Sequence, residues 1–229
     1  MIRKMILLIL IIISIGACIN KEKSKTNSIF YKDFFTNKII EESQYKKLND
    51  SLSMQFNLDE MIISEKSKND SLIITYWNIR FPKEMENPLT NAKAFIGTKL
   101  LIDSLKTIDG KTVSLNSNNG RPTLVNLWFT RCPPCIEEMP ELNNLKDEYN
   151  NKANFIAVTF ESYAKVSKFL EKNTFNFLLT VDAKKEMDKL NNSMYPLNIF
   201  IDKKGVVRYV VGMSPKGGKL FRELLENLL

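Results

Sequence analysis

The chain has 229 residues, with 33 Lys and Arg against 26 Asp and Glu, and it contains no histidine. Without histidine, Ser-His-Asp and Cys-His triads are excluded, as are His-ligated zinc, copper and haem sites. Acid–base chemistry therefore falls to carboxylates, thiols, lysines or tyrosines. With 44% hydrophobic and 26% charged residues, the composition is that of a folded globular protein. The net charge of +7 comes from scattered lysines with no basic stripe interleaved with aromatics, so we predict no nucleic-acid partner.

A cationic start and an apolar run open the chain. The run from Met5 to Ile13 is too short to span a bilayer, which takes about 20 residues, and it fits the hydrophobic region of a secretory signal. It ends in Ile15-Gly16-Ala17-Cys18, which resembles the lipoprotein box of bacteria. The resemblance implies a signal peptide over residues 1–17, a lipid on Cys18 and an exported protein held on a membrane, facing the periplasm. An ordinary signal with a chance cysteine is the alternative.

Residues 18–28 are polar and Lys-rich and are predicted to form a tether, and residues 29–93 follow as a mixed region without a motif for chemistry. Apolar residues between Lys38 and Phe56 are partly at helical spacing and indicate a helix. Residues 72–79 are β-branched and aromatic and indicate a strand. We predict a small N-terminal α+β extension, which either packs on the main domain or docks a partner.

From residue 94 onward, predicted strands and helices alternate. The predicted elements are hairpins over 106–115 and 197–211, strands over 123–129, 155–160 and 177–181, and helices over 134–149, 163–172, 184–191 and 217–229. The order of these elements predicts an α/β domain over residues 94–229, with a central mixed β-sheet flanked by helices on both faces.

Two of the three cysteines form the motif Cys132-Pro133-Pro134-Cys135. This spacing, after a buried strand and at the start of a helix, is a redox signature, and thiols one helical turn apart can close into a disulfide. The positive end of the helix favours a thiolate on Cys132, which we predict to attack from an exposed mouth while Cys135 resolves the mixed disulfide. Arg131 adds a cation beside Cys132, whereas the two prolines remove N–H donors, and these effects oppose each other.

The sequence WFTRCPPCIEEMP, from Trp128 to Pro140, resembles the thioredoxin superfamily and, more narrowly, its membrane-anchored TlpA/ResA-like thiol-disulfide oxidoreductases. The similarity covers residues 94–229, and Tyr195-Pro196 matches the position of the family's cis-proline. The resemblance implies a thioredoxin-like fold in which Pro196 lies against the disulfide and the backbone before it pairs with an extended substrate strand. Tyr195 departs from the small residue often found at this position and is a candidate substrate contact.

Further candidates surround the cysteines. Asn126 stands where thioredoxin has a buried aspartate, and Glu138 matches an acidic residue of ResA-like proteins that tunes the active-site thiols. Glu138 follows Cys135 by three residues and so shares its helix face, where a partly buried carboxylate could take the proton of that thiol. The alternative for Glu138 is a surface charge near the helix start. Glu137 is predicted to face solvent, and Trp128 to be a core residue first and a wall of the site second.

We therefore expect a thiol-disulfide oxidoreductase of the cell envelope whose redox group is the disulfide itself, with no other cofactor and no metal. The resemblance implies reduction of disulfides in extracytoplasmic partner proteins, including those of cytochrome c maturation, with electrons from a membrane-embedded donor. The direction stays open, since couples of this type span about −270 to −120 mV. An oxidase or isomerase is the first alternative. The others are a thiol-based copper-binding module, an inert structural disulfide and a peroxidase.

Overall fold

The computed structural model describes residues 28–115, 119–192, 194–213 and 218–229, and these residues form two β-sheets. The predicted signal peptide, the lipid-attachment site Cys18 and all of the tether before Ser28 lie outside the described residues, so they stay predictions. Within the described ranges, no helix has both the length and the apolar character needed to cross a bilayer.

The smaller sheet belongs to the N-terminal region. Its strands are β1 (Ser28–Asp33), β2 (Ile39–Glu41), β3 (Phe56–Lys68) and β4 (Ser71–Pro82), and helix α1 spans Glu42–Gln55. The strand order is β2-β1-β4-β3, with β1 parallel to β4 and the other pairs antiparallel. The predicted helix is present but begins at Glu42, because the residues before it pair with β1. The predicted strand lies within β4, whereas β1 and β3 have no counterpart among the predicted elements.

The larger sheet has seven strands. They are β5 (Ser104–Thr107), β6 (Thr112–Ser114), β7 (Thr123–Leu127), β8 (Asn154–Val158), β9 (Leu178–Val181), β10 (Leu197–Ile201) and β11 (Val207–Val211). The helices of this part are α2 (Thr90–Lys93), α3 (Pro133–Tyr149), α4 (Tyr163–Leu170), α5 (Lys184–Asp188) and α6 (Lys219–Glu226). The strand order is β11-β10-β7-β8-β9-β5-β6; β7, β8 and β9 run parallel, and β10 pairs antiparallel with β7.

Both faces of this sheet are covered by apolar side chains, as the sequence predicts. One cluster of buried residues takes members from α3, α4 and α6, and the other from α5 and the segment around α2. Strands β7 and β10 are buried at all of their positions, because each has a neighbouring strand on both sides and lies between the two clusters. The structure therefore confirms the thioredoxin-like α/β fold. Strand β7 ends at Leu127, two residues before the predicted end, because the chain turns there toward the cysteine pair.

The smaller sheet packs against α6. The side chains of Phe34 and Ile63 are buried in the same cluster as the apolar face of that helix. The Nζ atom of Lys219 donates to the carbonyl of Phe34 at 2.9 Å, and Nδ2 of Asn227 donates to the carbonyl of Ile63 at 2.6 Å. These contacts join α6 to the backbone of the smaller sheet and of the residue that follows β1. The predicted domain boundary at residue 93 stays a prediction.

Candidate active site

The cysteine pair lies at the start of α3, after the short loop that follows β7. Cys132 is the N-cap of the helix, and Pro133 and Pro134 occupy its first positions, where a missing N–H group costs no helical hydrogen bond. Cys132 and Cys135 form a disulfide with their Cα atoms 5.2 Å apart. The backbone N–H of Cys135 points at Sγ of Cys132 at 3.3 Å. The first N–H group that this helix offers is therefore directed at the sulfur predicted to attack.

The predicted exposure of Cys132 is wrong. Both cysteines are 2% exposed and belong to the apolar cluster that contains α3 and α6. The sulfur of Cys132 turns inward because it is bonded to Cys135, whose side chain lies on the buried face of the helix. The rings of Phe129 and Tyr195 pack against the same cluster. The disulfide is thus almost fully buried among apolar side chains.

Glu138 is buried below the cysteines. It is 3% exposed, and its Oε1 atom accepts hydrogen bonds at 3.0 Å from Nδ2 of both Asn126 and Asn198. Asn126 also donates to Oδ1 of Asn198 at 2.9 Å, and Asn198 donates to the carbonyl of Gly212 at 2.9 Å. A carboxylate at this depth needs such donors, because burial without hydrogen bonds is costly. Glu138 is therefore part of a buried polar network and not a surface charge, whereas Glu137 is exposed as predicted.

Sequence reasoning missed Asn198, which holds this network together. The residue is fully buried in β10 and stands opposite Asn126 of β7 in the antiparallel register. A signal was present: Asn198 is the only polar residue in the five-residue run Leu197–Ile201. A lone amide in a strand buried on both faces needs a partner, and the facing strand carries the second amide.

Tyr195 and Pro196 lie at the entrance to β10, and the peptide bond between them is cis. The Tyr195 ring is half-buried and meets Phe129 edge-on, with centroids 5.4 Å apart, and Phe160 at 6.1 Å. Burial raises the pKa of the Tyr195 hydroxyl, and the nearby carboxylate of Asp188 raises it further. The Tyr195 ring therefore forms an aromatic wall together with Phe129 and Phe160.

Trp128 is fully buried, and its ring lies 5.3 Å from Phe169 and 5.4 Å from Phe175 between centroids. Its indole N–H has no hydrogen-bond partner among the described residues. The structure thus places Trp128 in the core, in the same apolar cluster as the two cysteines.

A second residue that sequence reasoning missed holds the loop before Cys132. Glu161 is 5% exposed, and its carboxylate accepts from the backbone N–H of Thr130 at 2.6 Å and from the Thr130 hydroxyl at 3.1 Å. Arg131, the next residue, is exposed. Glu161 follows β8, so no local pattern near the cysteines could have indicated it. Among the described residues, no three acidic or thiol side chains come together as a metal site.

The comparisons with known proteins agree with this geometry. The family model described as Redoxin matches residues 86–217, which is more than half of the chain. The chain is 36% identical over 118 residues to the thioredoxin-like protein YneN of Bacillus subtilis (strain 168), covering 49% of this chain and 69% of that protein. It is 28% identical over 127 residues to the thiol-disulfide oxidoreductase ResA of Halalkalibacterium halodurans, covering 53% of this chain and 72% of ResA.

Solved structures show the fold. The thioredoxin domain of a thiol-disulfide oxidoreductase from Bacteroides vulgatus superposes with a TM-score of 0.51 at 19% identity, covering 58% of this chain and 98% of that one. A thioredoxin family thiol:disulfide interchange protein from Chlorobium tepidum gives a TM-score of 0.50 at 22% identity, covering 58% of this chain and 96% of that one. At these identities the likeness concerns the fold alone.

Proposed function

This chain belongs to the Redoxin family, as a TlpA/ResA-like thiol-disulfide oxidoreductase of the thioredoxin superfamily, and on that premise we propose that it reduces disulfides in other proteins of the cell envelope. The observation that carries the proposal is the Cys132–Cys135 disulfide at the start of α3, with a backbone N–H directed at the first sulfur. The reduced, dithiol form of this pair holds two electrons, which the disulfide of a partner protein can accept.

The proposed reaction begins with the reduced pair. The thiolate of Cys132 attacks one sulfur of the partner's disulfide, forms a mixed disulfide and releases a partner thiolate, which takes up a proton. Cys135 then attacks Cys132, re-forms the internal disulfide and releases the second partner thiolate. Two electrons and two protons pass from the enzyme to the partner. The positive end of α3 stabilises negative charge on Cys132, with the N–H of Cys135 as the donor that touches it.

We propose that the carboxylate of Glu138 accepts the proton of the Cys135 thiol. That thiol must lose its proton before it can attack, and Glu138 lies one helical turn further along α3 on the same buried face. The chain has no histidine for this task. The amides of Asn126 and Asn198, both 3.0 Å from the carboxylate, hold it in place but cannot themselves accept the proton.

We propose that the target segment binds as an extended strand beside Tyr195 and Pro196, where the chain enters β10. The aromatic wall of Phe129, Phe160 and Tyr195 supplies an apolar contact for the residues next to the partner's disulfide. The proposal further includes a lipid anchor on Cys18, a periplasm-facing location and a membrane-embedded donor that recharges the pair. Proteins of cytochrome c maturation are one expected class of partner.

The test of this function is the reduction potential of the pair in the full chain, kept in detergent and equilibrated against dithiothreitol or glutathione. A potential below about −230 mV is expected, because a reductase must hold electrons that its targets accept. A value near about −120 mV would reverse the direction and make the protein an oxidase. Failure to form any reversible couple would overturn the enzyme function itself. A Cys135→Ala variant is then expected to trap partners as mixed disulfides, and a Cys132→Ala variant prepared in the same way is the control that traps none.

A further inference from the structure

A groove with four cationic side chains lies beside the loop that precedes Cys132. We call it the basic groove; it has a volume of about 410 Å³ and is lined by Thr130, Arg131, Glu161, Lys165, Lys168, Phe169, Lys172 and Asn173. The four cations of this lining are exposed, whereas its single carboxylate, on Glu161, is buried. The groove therefore presents positive charge to solvent.

Three of the cations come from one stretch of chain. Lys165 and Lys168 lie on α4, and Lys172 lies in the turn that continues it, where its N–H bonds to the carbonyl of Phe169. Their spacing of three and then four residues places them in a row along one face. Lys165 is 3.8 Å from the carboxylate of Glu161. Within the part of the chain that the structure describes, Lys168 and Lys172 have no ion-pair partner, so their charge is available to a ligand.

The lining of the groove includes the two residues that directly precede Cys132 in the sequence. Arg131 forms one wall and directly precedes Cys132, so their Cα atoms are about 3.8 Å apart. Glu161 forms part of the lining and fixes Thr130 through two hydrogen bonds, at 2.6 Å and 3.1 Å. A chain segment seated in the groove would thus contact Thr130 and Arg131, the two residues that precede Cys132.

We propose that the basic groove binds an acidic segment next to the target disulfide of the partner protein. The proposal rests on the proposed function and names the kind of substrate that the site prefers. Opposite charge speeds the encounter of two proteins and fixes their register, and a groove lined by the two residues before Cys132 would use both effects. The half-buried ring of Phe169 offers an apolar floor between the lysines.

The experiment uses two peptides that share one Cys-Gly-Ser-Cys disulfide and differ in the four flanking residues, which are aspartates in one and lysines in the other. The full chain is reduced, freed of reductant, and mixed with each peptide in a single turnover. At about 0.01 M salt the acidic peptide is expected to react about tenfold faster than the basic one. At about 1 M salt, where the Debye length is about 3 Å, the two rates are expected to converge.

A charge-reversal variant locates the effect. Lys168→Glu/Lys172→Glu is expected to invert the preference, so that the basic peptide reacts faster. The matched control is Lys203→Glu/Lys204→Glu, which changes the net charge equally at two exposed lysines in the turn between β10 and β11. The control is expected to retain most of the preference for the acidic peptide.

The outcomes separate the two proposals. Equal rates for both peptides, or an equal change in both variants, would overturn the docking proposal while the reductase function stands. If neither peptide oxidises the reduced protein, the proposed function fails, and the groove is then judged by fluorescence anisotropy with an acidic peptide carrying serines in place of the cysteines. Binding of that peptide by the wild type and not by Lys168→Glu/Lys172→Glu would support the groove. Absence of binding, or binding to phosphatidylserine vesicles in its place, would overturn it.

Discussion

The strands of the two sheets in this protein are buried to different extents. In the larger sheet, β7 and β10 are buried at all positions, with helices covering both faces. In the smaller sheet, β1 and β4 are mostly half-buried, and the edge strand β3 is exposed over its last four residues. The described chemistry belongs to the larger sheet. A fully buried strand can hold an amide where no water competes for its hydrogen bonds, whereas a half-buried strand cannot keep water away.

The largest expected effect compares matched leucines in the two sheets. Leu124 of β7 is fully buried, so Leu124→Ala is expected to lower the free energy of unfolding by about 4 kcal/mol through lost transfer energy and a cavity. Leu72 of β4 is only half-buried, so Leu72→Ala is expected to cost about 1 kcal/mol. Urea unfolding followed by tryptophan fluorescence measures both. Equal losses would mean that the smaller sheet has a core as tight as that of the larger one.

A smaller difference is expected between matched asparagines. Asn198→Ala removes a donor from Glu138 and another from the carbonyl of Gly212, both buried, and is expected to cost about 2 to 3 kcal/mol. Asn57 of β3 donates to the carbonyl of Met85 at 2.7 Å in an exposed position. Water can replace that bond, so Asn57→Ala is expected to cost less than about 1 kcal/mol. The same unfolding experiment applies. A cost for Asn198→Ala as small as that of Asn57→Ala would show that the network is dispensable for stability.

The smallest effect concerns an exposed edge of the larger sheet. Hydrogen bonds from Lys111 and Thr107 lower the pKa of Asp109 to about 2 in the β5–β6 turn. Because the folded pKa is depressed below 3.8, the contribution of this group to stability is present above pH 3.8 and is lost as the pH falls toward 2. Carboxyl carbon NMR should give a midpoint near 2, and Thr107→Val should raise it. An Asp109 midpoint near 3.8 in the wild type would contradict the hydrogen-bonded turn.

The sequence predicts the larger sheet well because its signals are local. The apolar run ending at Leu127 and the Cys-Pro-Pro-Cys motif each indicate their structure within a few residues, and the structure has β7 and the start of α3 there. The sequence pattern does not indicate strand β3, because the register of this strand shifts between Ile62 and Ser64. Such a bulge breaks the alternation of apolar and polar residues.

The missed site residues depend on distant partners. Asn198 lies 60 residues from Glu138 along the chain, and Glu161 lies 31 residues from Thr130. The local sequence marks Asn198 as a lone amide in an apolar strand, but it does not indicate which residue either side chain faces after folding. The exposure predicted for Cys132 is wrong for a different and local reason, since its sulfur is bonded to Cys135 on the buried face of α3.

The docking of β1 and β3 on α6 bears on when the molecule can complete itself during synthesis. Lys219 reaches back 185 residues to Phe34, and Asn227 reaches back 164 residues to Ile63. At a ribosomal rate of roughly 5 to 20 residues per second, α6 appears roughly 10 to 40 s after the strand that it must cover. Until α6 has been made, the side chains of Phe34 and Ile63 lack the apolar face on which they pack in the folded protein.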